Sequence, residues 1–215
     1  MRGPGYQSVR LNQNGADMQP LIDHARSFPE AVAGRRDQFA RLADGQRPEA
    51  LFISCSDSRV IPALFTGAQP GQLFELRNAG NIVPPYRAEA SCAVSGTIEF
   101  AVRALGVADI VVCGHSHCGA VQGLLRQDGL TVMPQVKQWL TQAGPTPGAA
   151  GTDPGAGMEA AVREHVLTQL GHLRTHPCVA EGTQGGTLRL HAWFYRVTTG
   201  EVLANEAGTP NFLPL

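Results

Sequence analysis

The sequence predicts an α/β fold: a central, mostly parallel β-sheet flanked by helices, with a helical arm at the N-terminus. Three observations carry this. The apolar or alternating runs Leu51–Ile53, Leu73–Leu76 and Asp109–Cys113 are too short for buried helices and read as strands. The stretches between them space their apolar residues at helical intervals, and alternation of strand and helix points to a parallel sheet covered on its faces. Finally, Cys55, Arg77 and His115 each lie at or just past the carboxyl end of a strand, the edge where open sheets place their sites.

Taken in order, Met1–Met18 is rich in Gly, Asn and Gln and shows no period, which predicts a flexible arm over 1–19, or one packed on a partner, ahead of a single domain over 20–215. A short helix fits Pro20–Ser27. A better one fits Pro29–Ala43, with proline in its first turn, Val32, Phe39 and Leu42 on one face, and Asp44-Gly45 as a stop. After the strand at Leu51–Ile53 come a helical turn over Ile61–Phe65 and a turn at Gln69-Pro70-Gly71. The second strand leads into the loop Arg77–Asn81. Tyr86–Leu105 reads as one long helix, with Val94, Ile98, Ala101, Val102 and Leu105 at helical spacing and Gly106 as its C-cap. The third strand is followed by short helices over Cys118–Arg126 and Pro134–Leu140. Residues 143–157 are Gly, Pro, Ala and Thr with little to pack, which predicts a mobile surface insertion. Glu159–Thr175 is an amphipathic helix. Thr187–Val197 is a strand, and Thr199-Gly200 turns Glu201–Asn205 back on it as a hairpin.

Composition narrows the class. The chain has 215 residues, 43% hydrophobic and 16% charged, which suits a globular domain with a real core. A formal net charge of -1 gives no global pull toward nucleic acid or an anionic membrane. No apolar run approaches the roughly 20 residues needed to span a bilayer, and Met1–Gln19 lacks the apolar core of a secretory signal, so a cytoplasmic location is expected. Five cysteines, an odd number in a chain too long to need staples, argue against a disulfide framework.

Two pieces carry chemistry: Cys55-Ser56-Asp57-Ser58-Arg59 after the first strand and His115-Ser116-His117-Cys118-Gly119 after the third. Zinc takes Cys and His in tetrahedral geometry, and a catalytic site leaves one position open. His115 and Cys118 have the spacing of two ligands from one turn, and Cys55 would be the third ligand to Zn2+. A structural zinc would want a fourth ligand; His117 is a neighbour but reads better as an exposed polar residue. Asp57 and Arg59 would by themselves be a surface ion pair. Beside a metal, Asp57 would orient a water and Arg59 would keep Asp57 ionised.

At this point the motifs resemble the β-class carbonic anhydrases. The resemblance rests on Cys55–Arg59 with His115-x-x-Cys118-Gly119, Gln69-Pro70-Gly71, Arg77–Val83 with Pro84-Pro85-Tyr86, and Leu190–Tyr195 with Thr199-Gly200. It runs from about Phe28 to Asn205, and Pro84-Pro85-Tyr86 with Gly123-Leu124-Leu125 leans toward the plant-like branch. It implies that Cys55, His115 and Cys118 bind one zinc per chain and that Asp57 and Arg59 are the catalytic dyad. In a closed state Asp57 would take the fourth position. Gln69 would donate to carbon dioxide or bicarbonate across a dimer interface, in a homodimer or dimer of dimers whose N-terminal helices wrap the neighbour. The implied reaction is reversible hydration of carbon dioxide by zinc-bound hydroxide.

Three departures stand out. Ser54 replaces the Gly or Ala usual before the first ligand, and Phe52 and Ser54 stand where an inhibitory bicarbonate site needs Trp and Gly. An open, active resting site is therefore expected. Ala192 replaces a usual Gly, which is tolerable if its φ is negative. The competing readings are hydrolysis of carbonyl sulfide or carbon disulfide at the same zinc, a non-enzymatic zinc-holding or bicarbonate-sensing domain, and dithiol redox chemistry, for which there is no C-x-x-C.

Overall fold

The computed structural model describes residues 17–126, 129–145 and 154–215. The expected arm falls outside them up to residue 16, and the expected insertion falls outside them between 146 and 153. The chain divides into two compact units, Met1–Gln46 and Arg47–Leu215.

In the first unit, α1 spans Gln19–Ala31 and α2 spans Arg36–Leu42, joined by a 3₁₀ turn at Ala33–Arg35. This differs from the expected break before Pro29. That proline lies inside the last turn of α1, where its fixed φ suits the helix and only one backbone bond is forfeited. The break comes at Val32 instead (φ -101°, ψ 9°). Phe28 meets Phe39 edge-on with centroids 6.0 Å apart, and the Arg35 guanidinium lies over the Phe39 ring. Neither helix has a buried residue within this unit.

The second unit is built on a sheet of order β2-β1-β3-β4-β5-β6. Strand β1 is Ala50–Cys55, β2 Leu73–Asn78, β3 Asp109–His115, β4 Arg189–Tyr195, β5 Val202–Asn205 and β6 Phe212–Pro214. The β2-β1-β3-β4 part is parallel, while β5 and β6 add on antiparallel. The parallel core requires crossovers, and helices supply them: α3 (Pro62–Thr66), α4 (Ala93–Glu99), α5 (Gly119–Arg126), α6 (Pro134–Leu140), α7 (Pro154–Leu173) and α8 (Pro177–Gln184). No described helix is long and apolar enough to cross a membrane.

Side chains alternate across the sheet. Leu51, Ile53, Ile110 and Val112 enter the main core with Val162 and Val166 of α7, while Phe52, Val111 and Cys113 form a second cluster with Phe65 and Trp193 on the other face. Each fully buried aliphatic or aromatic side chain contributes about 1.5–3 kcal/mol, so this two-sided burial is what holds β1 and β3 rigid where they end. Gly114 allows α7 to lie directly on β3: a Cβ there would meet Val166 Cγ2 at 2.5 Å and Val162 Cγ1 at 2.8 Å.

The long helix expected over Tyr86–Leu105 is shorter. It begins at Ala93, and Phe100–Ala104 closes as a π turn. Tyr86 to Cys92 stays outside because bonds to residues far along the chain hold the start of that segment elsewhere. Tyr86 N–H donates to Thr175 Oγ1 (2.8 Å), His176 Nε2 to the Pro84 carbonyl (3.0 Å), and Cys92 is fully extended. Helix α8 and strand β6 were not anticipated. Among the described non-glycine residues only Asn81 (φ 47°) and His117 (φ 58°) have positive φ, so Ala192 sits in ordinary strand backbone, as its tolerance required.

Candidate metal centre

Parallel pairing brings the carboxyl ends of β1 and β3 side by side, with Ser54 opposite Cys113. Cys55 closes β1. His115 closes β3, and the turn through His117 delivers Cys118 to the start of α5. The Cys55, His115 and Cys118 side chains are buried, and their ligand atoms all lie within 4.8 Å of one another. His117 is exposed and stands apart from this group.

Each member is set up to bind a cation. His115 Nδ1–H donates to the Ser116 carbonyl (2.9 Å), which leaves the Nε2 lone pair for another partner. Nε2 is buried and has no hydrogen-bond partner among the described residues. Cys55 titrates low, chiefly because the Cys118 thiol bonds it, with the Gly80 and Asp57 N–H groups adding to this against the cost of burial. Cys118 is pushed up by the same contact and by burial. Two neighbouring sulfurs thus hold on to one proton, and a divalent cation replaces it. Two thiolates, one bare imidazole nitrogen and no fourth protein ligand among them fit zinc with an open position.

Asp57 and Arg59 border the group. The guanidinium clamps the carboxylate at two points, Nε to Oδ1 at 2.8 Å and Nη2 to Oδ2 at 2.6 Å. The same Nη2 donates to the His117 carbonyl (3.2 Å), so Arg59 spans both ligand-bearing loops. Arg59 beside Asp57 holds its carboxyl well below the usual carboxylate range. Asp57 Oδ2 lies 3.8 Å from His115 Nε2.

Gln69 is elsewhere, on the exposed loop between α3 and β2, where its side-chain amide donates to the Gly67 carbonyl (3.2 Å). Arg77, legible in the sequence only as a strand-end residue, holds the loop in place. Its guanidinium donates to the carbonyls of Cys55, Asp57 and Val60 at 3.0, 3.0 and 2.7 Å. Gly80 N–H donates to Cys55 Sγ at 3.3 Å, a contact that no side-chain motif announces.

Comparisons with known proteins agree with this geometry. Residues 50–202 match the carbonic anhydrase family. A carbonic anhydrase of Pseudomonas aeruginosa is 43% identical over 203 residues, covering 92% of this chain and 92% of that protein. A solved structure, the β-carbonic anhydrase CcaA, superposes with a TM-score of 0.83 at 40% identity, over 92% of this chain and 99% of that one. A tetrameric β-carbonic anhydrase from the ascomycete Sordaria macrospora superposes with a TM-score of 0.71 at 30% identity, over 88% of this chain and 99% of that one.

Proposed function

The chain belongs to the carbonic anhydrase family, in its β class, and on that premise we propose that Cys55, His115 and Cys118 hold its zinc and that Asp57 and Arg59 work beside it. The reaction is the reversible hydration of carbon dioxide to bicarbonate and a proton. Zinc, when bound, supplies a Lewis acid that makes water nucleophilic near neutral pH.

The protein's own part follows from the clamp. Arg59 occupies both Asp57 oxygens and keeps the carboxylate ionised, so Asp57 is an acceptor only, aimed from beside His115 Nε2 at the open side of the group. Such an acceptor orients the hydrogen of the attacking water and receives no proton itself. The Cys118 and His115 backbone turn is fixed to the same guanidinium through the His117 carbonyl, so acceptor and ligands keep one geometry. Because Asp57 is held by Arg59, the resting site is the open one. The observation that carries this reading is the buried convergence of three ligand atoms beside a clamped carboxylate.

Gln69 acts, in this proposal, across a dimer interface, donating to substrate or bicarbonate; its exposed loop suits contact with a second copy. The tetrameric relative supports a dimer or dimer of dimers. Among the described residues all cysteines are free, which supports a cytoplasmic location. The test is stopped-flow carbon dioxide hydration on protein of measured zinc content and measured solution mass. One zinc per chain, with hydration rising from neutral to alkaline pH, is the expected result. Zinc without hydration overturns the role of the dyad, and absence of zinc overturns the ligand set.

A further inference from the structure

We propose that His165 of α7, which touches neither the metal ligands nor the dyad, is a positioning residue that holds the Gly80 N–H on the Cys55 sulfur. The inference rests on Cys55 being a metal ligand.

The contact to be held is Gly80 N–H to Cys55 Sγ, 3.3 Å. An N–H aimed at a ligating thiolate draws charge from the sulfur, which lowers its affinity for a proton and keeps it on the metal against proton-assisted release. Gly80 is confined on its other sides. It sits at φ +86°, and a Cβ there would be 2.7 Å from the Cβ of Ala120, two residues beyond Cys118. Its carbonyl accepts a bond from His165 Nε2 at 2.8 Å. One residue therefore touches the first thiolate, the helix that starts just after the second, and His165.

The bonding pattern fixes the proton positions. A carbonyl can only accept, so Nε2 carries the hydrogen and Nδ1 is the lone-pair nitrogen. Nδ1 faces Gln169 Nε2 at 3.4 Å. The Gln169 amide cannot be reversed, because its Oε1 accepts from Val83 N–H (3.0 Å) while its Nε2 donates to the Ala143 carbonyl (2.8 Å). Donation thus runs in one direction, Gln169 to His165 to Gly80, and ends at Cys55. Burial keeps His165 neutral, which preserves the Nδ1 acceptor.

Volume alone does not explain these residues. His165 is 1% and Gln169 0% exposed, on a helix face shared with Val162, Val166 and Leu170. A polar side chain in such a place costs free energy unless it is fully bonded. Leu would fill the space without that requirement, but it could not hold the Gly80 carbonyl.

The test compares His165→Leu, which removes the donor, with His165→Gln, whose terminal amide can donate to the same carbonyl. Two quantities are read: the rate of zinc release to a chromogenic chelator, and the sulfur-to-metal charge-transfer band of the cobalt-substituted protein. His165→Leu is expected to release zinc about 10–100-fold faster and to shift the band to lower energy, as a more electron-rich sulfur requires. His165→Gln is expected to stay near wild type in both. An unmoved band in His165→Leu overturns the inference, even if that variant is less stable. If His165→Leu does not fold, His165→Met, equally without a donor and more adaptable in shape, is read in the same way with the same two outcomes. A wild-type cobalt protein with no thiolate band sinks the ligand assignment itself, which separates the two failures.

Discussion

Asp57 shows how little of a residue's role lies in its type. Two residues from Arg59 and alone on a surface, it would contribute about 0–1 kcal/mol as an ion pair. Clamped at both oxygens and 3.8 Å from His115 Nε2, it takes, in the proposed reading, the part of the site's acceptor. Asp57→Asn keeps the shape but loses one acceptor and the charge that Arg59 holds. Zinc content is expected to stay at one per chain while turnover falls by about 10–100-fold, measured by metal analysis and stopped-flow hydration. Loss of zinc in this variant would make Asp57 a ligand and the assignment wrong. Cys113 makes the converse point. It lies two residues before His115, inside the strand and short of its carboxyl end, where it packs beside Phe52 and Val111. There burial pushes its thiol up to about 12. The convergence of Cys55, His115 and Cys118 was legible because it is made of side chains at strand ends with a two-residue gap. The bonds that Arg77, Gly80 and His165 make at the site were not legible because each uses a backbone atom at one end, and every residue has those.

Elements were legible where one physical signal dominated. Strands β1 and β3 are apolar on both faces, and helix α7 shows its stripe despite the glycine-rich lead-in. The segment after Pro84-Pro85 was misread because Val94 to Leu105 has a real helical period, while the bonds that keep Tyr86–Cys92 out of the helix come from Thr175 and His176, far along the chain. Helix α8 is short, and β6 has too few residues to show alternation. Neither leaves a pattern that outweighs its neighbours. The contact of α7 with β3 is the element-scale feature most exposed to test. Gly114→Ala places a methyl group where Val162 and Val166 now stand, closer than real Cβ contacts. Overpacking of this kind costs about 1–3 kcal/mol, which a chemical melt at constant zinc resolves. His115 follows Gly114 directly, so faster zinc loss is expected with it. An unchanged melt would show that α7 slides on β3 without cost.

At the scale of the whole molecule, the two strongly depressed aspartates among the described residues lie at opposite ends of the sheet. Asp57 lies at the metal edge. Asp109 opens β3 at the other edge, where Arg189, which opens β4, pairs with it through Nε at 2.7 Å and Nη2 at 2.6 Å, and His191 Nε2 adds a bond at 2.8 Å. Arg189 is the main cause that lowers the Asp109 pKa from 3.8 to about 2. A carboxylate with a lowered folded-state pKa stabilises the fold fully above its unfolded value, and that contribution fades as pH falls through the folded value. The window here is therefore from about 4 down to about 2. Full conversion of the shift overstates the effect, since the Arg189 side chain is 69% exposed; after screening, about 1 kcal/mol remains. Asp109→Asn should then lower stability by about that amount at neutral pH, read by urea unfolding. The difference from wild type should vanish as pH falls below the folded-state value. Acid also releases a bound zinc, because protons compete with the metal for its ligands. Both proteins share that loss, and the substitution lies at the far edge of the sheet, so comparing metal-free forms removes it. A difference that persists in strong acid would assign the effect to neutral hydrogen bonds or packing at the β3–β4 entrance, and the charge on Asp109 would then have no part in it.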